Sequence, residues 1–333
     1  MTDNQIKMMQ LRSYQSLPLG AKIRRSEMVI RQALEHWEDN MYVAFSGGKD
    51  SSVMLDLVWS INPNITAVFS DTGNELDSIR EHVASYGDRV VWVKPKMTFW
   101  EVVDKHGWPV ISKKMSDYIN RCRKTKSDAV IKRHKFGLNS DGSPSPMSKI
   151  PDKWWKFVDG SIDVTNKCCG ILKNDPTAEY RRQTGRFAFV GTMAGESRAR
   201  EISYLNHGGC NAFDQKDPCS RPIMFWTEQD VLQYHIDKKL PMAKAYGEIK
   251  SRRGKLYCTD CQRTGCKFCL FGVHLEDGEN RIQYLSRVEP ESWEEFVRHG
   301  GNNVMEELGA DWKPYQKPDI QQDMFDEEYE EPV

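Results

Sequence analysis

Apolar positions along the chain change period several times, and each change marks an element. Between 26 and 40, Met28, Val29, Ala33, Leu34 and Trp37 recur at close to helical spacing. An unbroken apolar run follows at 41–45, with the length of a buried strand, and Gly47-Gly48 turns the chain. Helical spacing resumes through Val53, Met54, Leu57 and Val58 and predicts a helix over 51–61. The alternation continues with a strand at 65–69, a helix at 75–85 and a strand at 90–93. Further on come a helix at 176–184, a strand at 187–190 and a helix at 227–236. Thr227 followed by Asp230 resembles a capping box that starts the last of these. Short helical stretches lie at 291–298 and 304–308. Strands alternating with helices predict an α/β fold, a parallel sheet flanked by helices.

The 333 residues suffice for a full α/β core plus a smaller appendage. We expect an N-terminal helical segment (1–40), an α/β domain (41–240), a cysteine-rich helical region (241–325) and a disordered acidic tail (326–333). A net charge of -1 argues against coating nucleic acid by bulk charge, yet leaves room for a local basic groove. One candidate is the basic stretch at 112–135, which contains Lys113, Lys114, Arg121, Arg123, Lys124, Lys126, Lys132, Arg133 and Lys135. It reads either as a solvated helix face or as a phosphate-facing surface for a nucleic acid. A turn-rich loop follows at 139–152. No apolar run approaches the roughly 20 residues that span a bilayer. The polar N-terminus does not read as a signal peptide, so no membrane partner and a cytoplasmic location are expected.

The candidate chemistry begins at Ser46-Gly47-Gly48-Lys49-Asp50-Ser51, between a predicted strand and a predicted helix. Two glycines let the backbone turn tightly and let phosphate oxygens approach its amides. The helix that follows offers free N–H groups and a partial positive end. Lys49 adds charge, Ser46 and Ser51 add hydroxyls, and Asp50 is placed to orient the loop or help hold Mg2+. Asp71-Thr72-Gly73 ends the next strand, where open parallel sheets bind ligands. Arg198 and Arg200 are suited to clamp a second phosphate.

Nine cysteines are spread unevenly. Cys122, Cys210 and Cys219 stand alone and read as structural. Cys168 and Cys169 are adjacent, and Cys258-x-x-Cys261-x4-Cys266-x-x-Cys269 has ligand spacing. Zinc and an iron–sulfur cluster both take four thiolates, and spacing alone leaves the choice open.

These motifs together resemble the phosphoadenosine phosphosulfate (PAPS) reductase family of the PP-loop superfamily, whose nucleotide-binding domain is of the HUP type. The resemblance runs from Met41 to Phe271. It includes the Ser-Gly-Gly-Lys-Asp-Ser loop, Asp71-Thr72-Gly73, the Lys167-Cys168-Cys169 segment and Lys173. It continues through Gly191 to Arg200, with Met193 where an arginine is usual, and through Arg221-Pro222-Ile223 to Leu240-Pro241. It implies an adenine nucleotide, either ATP or an adenylyl sulfate, on Ser46 to Ser51 and Asp71 to Gly73. It also implies a [4Fe-4S] cluster on Cys168, Cys169, Cys266 and Cys269, with Cys258 and Cys261 as the alternative pair and Zn2+ as the alternative metal. Lys49, Asp50, Arg198 and Arg200 would act on the reacting group. Two reactions fit: ATP-dependent adenylation followed by sulfur transfer, which is favoured, or release of sulfite from an adenylyl sulfate. Either needs a sulfur donor or a thiol reductant, and a nucleic acid is a candidate acceptor. The family's reductases carry a C-terminal nucleophilic cysteine, whereas no cysteine follows Cys269 in this sequence. A non-catalytic nucleotide-binding subunit with a structural zinc is the remaining reading.

Overall fold

The computed structural model describes residues 2–206 and 209–316. Among these, ten short strands occur in chain order: β1 (Met41–Ala44), β2 (Thr66–Ser70), β3 (Val90–Val93), β4 (Val110–Ile111), β5 (Phe187–Val190), β6 (Asn211–Ala212), β7 (Cys219–Ser220), β8 (Ile249–Arg252), β9 (Lys255–Cys258) and β10 (Leu270–Phe271). Six of them form one sheet in the order β3-β2-β1-β5-β7-β6. All its pairings are parallel except that of β6 with β7. Parallel pairing requires crossovers, and helices such as Lys49–Ile61 and Asp77–Ala84 provide them. The fold is α/β, a mostly parallel sheet flanked by helices, as the alternating pattern implied.

Amphipathic spacing explains how the first core closes. Val29, Ile30, Ala33 and Leu34 of helix Leu19–His36 meet Val53, Met54, Leu57 and Val58 of helix Lys49–Ile61 over Val43, Ala67, Phe69 and Phe189. On the opposite sheet face, Tyr180 of helix Asp175–Thr184 packs with Tyr42, Val68 and Ala188. Buried aliphatic and aromatic side chains of this size each contribute about 1.5–3 kcal/mol.

A second core follows different lines from the linear division at 240. Phe99, Val102, Trp108, Ile119, Trp154, Phe157 and Leu172 pack with Phe268, Leu270, Leu285 and Phe296. The segment between β3 and β5 therefore folds with the cysteine-rich region, and β4 pairs in parallel with β10 to join them. Linear pattern assigned 41–240 to one unit because nothing local marks which core a helix faces.

The strands at 90–93 and 187–190 lie where the pattern put them, and Thr227 and Asp230 cap helix Glu228–Lys238 reciprocally. Helix 26–40 starts earlier, at Leu19, and ends at His36. The basic stretch becomes two helices, Lys113–Lys124 and Asp128–Phe136. Helix Asp3–Gln15 falls within the helical segment expected at 1–40, whereas helix Phe99–His106 was not foreseen, although Thr98 and Glu101 form a capping box in front of it. The acidic tail lies outside the described residues. Among the described residues no helix is long and apolar enough to cross a membrane.

Candidate nucleotide and thiol site

The loop between β1 and helix Lys49–Ile61 holds its shape through backbone conformation and short hydroxyl bonds. Gly47 has φ +71°, and a Cβ there would stand 2.7 Å from Val83 Cγ2 and 2.8 Å from Ile79 Cγ2. Only glycine fits both demands. Ser51 Oγ donates to the Gly48 carbonyl (2.8 Å) and lies 3.0 Å from Ser46 Oγ. Gly191, just past β5, lets that strand approach the helix start, where its Cβ would sit 3.2 Å from Ser51 Cα.

Lys49 and Asp50 occupy opposite situations. The Lys49 side chain is almost fully buried, and its Nζ donates to the Gln262 carbonyl at 2.6 Å and lies 3.2 Å from Glu228 Oε1. Its backbone N–H donates to the Tyr246 hydroxyl (3.1 Å), which is 2.9 Å from Thr264 Oγ1. The Asp50 Oδ1 atom is buried without a hydrogen-bond partner. Burial pushes its carboxyl above the usual carboxylate range, Lys49 opposes the shift, and Glu196 and Glu228 add to it. A buried carboxylate oxygen with nothing to bind costs free energy that an arriving cation or donor would relieve. Behind the loop, buried His235 sets Nε2 3.0 Å from the Lys49 carbonyl, and burial holds its pKa low.

The turn after β2 is largely occupied with its own structure. Asp71 accepts from Arg80 Nη2 at 3.1 Å and from the Gly73 N–H at 3.3 Å. Thr72 Oγ1 donates to Glu75 at 2.8 Å. Gly73, with φ +69°, is exposed and open on its Cβ side. Of the three residues foreseen as ligands, Asp71 and Thr72 are buried in the turn and Gly73 presents backbone. Arg200 pairs with Glu196 at 3.0 Å, and Arg198 is exposed at the start of helix Arg198–Asn206. Glu196 lies within electrostatic reach of Asp50, so this segment borders the loop. Met193, where the resembling pattern has arginine, is buried and donates its N–H to Glu196 Oε1 (2.7 Å).

The same turn carries both cysteine segments. Ser70 Oγ donates to the Leu172 carbonyl (3.2 Å), beyond Cys168-Cys169. The Asn74 carbonyl accepts from Lys267 N (2.7 Å) and Asn74 Oδ1 from Phe268 N (3.2 Å), inside the Cys266–Cys269 turn. Residues nearly a hundred positions apart thus meet at one strand end. Burial first, then Cys266, Cys169 and Cys269, pushes the Cys168 thiol up. Burial pushes Cys266 up to about 11 against the opposing charge of Lys173. Burial pulls the Lys173 pKa down, but Cys266, to which it hydrogen-bonds, and Glu75 outweigh it and raise it. Asn74 Nδ2 is buried beside them without an acceptor. Among the described residues, no three His, Cys, Asp or Glu side chains close up as tightly as a single ion requires.

Cys258 and Cys261 are placed elsewhere. Cys258 is buried within reach of Lys49, Glu228 and Asp50, and burial raises its pKa. The Cys261 thiol hydrogen-bonds Tyr284, and its N–H donates to the Ala245 carbonyl at 3.0 Å. Cys261 and Cys266 line a common cavity of about 540 Å³, together with Arg263 and Thr264. Tyr246, Gln262 and Glu228 had no signal in the sequence as site residues, since each reaches Lys49 only through tertiary packing. Tyr246 comes from the second core and Glu228 from a helix whose Val231 and Tyr234 lie in the first. The phosphate loop itself needed no such help.

Known proteins resemble this chain over its loop-bearing part. Residues 40–143 match the model of the phosphoadenosine phosphosulfate reductase domain. An adenosine 5'-phosphosulfate reductase of Pseudomonas aeruginosa is 33% identical over 213 residues, 59% of this chain and 72% of that protein. An uncharacterized protein of Methanocaldococcus jannaschii is 25% identical over 297 residues, covering 85% of this chain. The chain spans 46% of the length of that relative and 30% of a second from the same organism. A crystal structure of phosphoadenylyl-sulfate reductase from Candida auris, in a phosphate complex, is 15% identical with a TM-score of 0.38, over 72% of this chain and 90% of that one. On the strength of the reductase relative, read with the loop that matches its family, this chain belongs to the phosphoadenosine phosphosulfate reductase family.

Proposed function

We propose that the chain is an enzyme of the sulfonucleotide reductase kind, binding an adenylyl sulfate on the Ser46 to Ser51 loop. The observation that carries this reading is the buried Lys49 ammonium at the start of helix Lys49–Ile61, held by a carbonyl and a half-exposed carboxylate. An anion arriving at the helix N-terminus would meet that charge together with the partial positive end of the helix. The resemblance to reductases named for adenosine 5'-phosphosulfate supports the choice of substrate. A thiol would attack the sulfur, forming an S-sulfonate as the bond from sulfur to the bridging oxygen breaks and AMP leaves. A second thiol from the reductant would then attack the S-sulfonate's thiol sulfur, forming a disulfide and expelling sulfite. Lys49 would then hold the negative charge that builds on the leaving phosphate, a role worth about 10²–10³ in rate for one well-placed donor.

The four thiols of Cys168, Cys169, Cys266 and Cys269 are electrostatic neighbours, which supports their joint ligation of one metal centre, and the family resemblance favours an iron–sulfur cluster over zinc. Lys173 and the unfilled Asn74 Nδ2 supply the charge and the donor that such a cluster tolerates. When bound, a cluster held by these thiolates would supply redox-capable iron.

The unpartnered Asp50 oxygen favours a second reading, in which Mg2+ and ATP occupy the loop and adenylation precedes sulfur transfer to an acceptor. One experiment separates the two. Anaerobic protein given adenylyl sulfate and a thiol reductant should release sulfite. Pyrophosphate from ATP with no sulfite would replace the first reading by the second, and neither product would remove both.

A further inference from the structure

We infer that helices Lys113–Lys124 and Asp128–Phe136 form a docking groove for single-stranded nucleic acid, separate from the nucleotide loop. Between them lies a cavity of about 540 Å³ lined by Tyr118, Arg121, Lys124, Arg133 and His134. Its floor is aromatic. The Tyr118 and His134 rings stack at a tilt with centroids 4.2 Å apart, and His134 is fixed from behind by Nδ1 at 2.8 Å from the Ser148 carbonyl. Its rim is cationic, for Arg121, Lys124 and Arg133 are all exposed, Arg121 pairing with Asp117 of its own helix at 2.8 Å.

The basic residues of these helices divide by task. Arg123 turns inward, donating to the Ile162 carbonyl (2.7 Å) and pairing with Asp163 (2.9 Å), and so serves the fold. Lys124 and its neighbour Lys126 are exposed on the outer side. A chain with net charge -1 has gathered cations here against its overall balance. The half-buried Tyr118 ring, backed by buried His134 and with cations around it, suits a strand whose bases are unstacked, because a base can stack on it while its phosphates meet the rim. A purely acidic protein surface or a lipid headgroup layer would use the cations but not the ring floor. The groove is also tied to the thiols. Asn120 Nδ2 donates to the Val164 carbonyl (2.7 Å) and Asn166 Nδ2 to Asp117 (3.2 Å), just ahead of Cys168.

The test is fluorescence anisotropy of the full chain with a labelled single-stranded oligonucleotide, a duplex of equal length, heparin and anionic vesicles, over a salt series. The single strand should bind tightest. Replacing Arg121, Lys124 and Arg133 together by Gln should weaken it at least about tenfold and flatten the salt slope by about one unit for each phosphate no longer neutralised. Tyr118→Leu keeps an apolar partner for His134 but removes the stacking face. It should weaken binding about tenfold with the salt slope unchanged. Melting curves and sulfite or pyrophosphate production of the variants would show that fold and nucleotide site survive, whichever product the loop makes. Binding untouched by the triple change overturns the groove. Binding that ignores Tyr118→Leu, or that is equal for heparin, or that prefers vesicles, overturns the strand as its occupant.

Discussion

Two sets of cysteines lie within one region, yet their surroundings differ in kind. Cys168, Cys169, Cys266 and Cys269 face one another around Lys173, at the end of β2. Cys258 sits within reach of Lys49 and Asp50, and Gln262, the residue after Cys261, gives its carbonyl to Lys49. Burial above all, with smaller contributions from neighbouring thiols, raises Cys168 and Cys266, and metal binding would relieve this by replacing protons. The second set neighbours the Lys49 loop through Cys258 and Gln262, while Cys261 shares a cavity with Cys266 of the first. Spacing cannot tell these sets apart, because Cys-x-x-Cys reads the same in both. Environment can.

The largest expected effect tests the quartet. Cys266→Ser should lose nearly all bound iron and the thiol-dependent activity, while Cys258→Ser keeps its iron, as measured by iron and sulfide analysis after anaerobic purification. Equal loss from both would merge the two sets. Next comes the loop's charge. Lys49→Ala should lower kcat/KM by about 10²–10³ while leaving iron content intact. A change within threefold would mean that Lys49 only packs. Gly47→Ala should lower stability by about 2–4 kcal/mol, from the left-handed backbone and the collision with Val83 and Ile79, as read by urea unfolding.

Asp50 gives a pH test. Its folded pKa is raised, so its contribution to stability is full below the ordinary carboxylate pKa and is lost as pH rises through the folded value. Asp50→Asn should therefore be more stable than the parent at neutral pH, by less than Gly47→Ala takes away, and the gain should vanish at acid pH. A gain that is equal at both would remove the titration argument. The smallest effect belongs to Tyr246→Phe, which removes the acceptor for the Lys49 N–H. It should cost about 1 kcal/mol and leave iron unchanged.

The sheet and its phosphate loop were legible because both depend on neighbours in sequence. A strand of four apolar residues, a glycine with φ +71° and a helix that starts at Lys49 are local facts, and periodicity exposes them. The cap on helix Glu228–Lys238 was legible for the same reason. The partners of Lys49 were not, since Tyr246, Gln262 and Glu228 lie about 180 to 215 positions away and reach it only across packed elements. Pattern likewise failed to show that the segment between β3 and β5 shares a core with the C-terminal region. An apolar helix face says that it is buried but not against what. Sequence alone determined that this chain folds around a glycine turn at the start of a helix and carries clustered thiols. Tertiary structure decided which thiols meet and what holds Lys49, because those contacts join residues that chain order keeps apart.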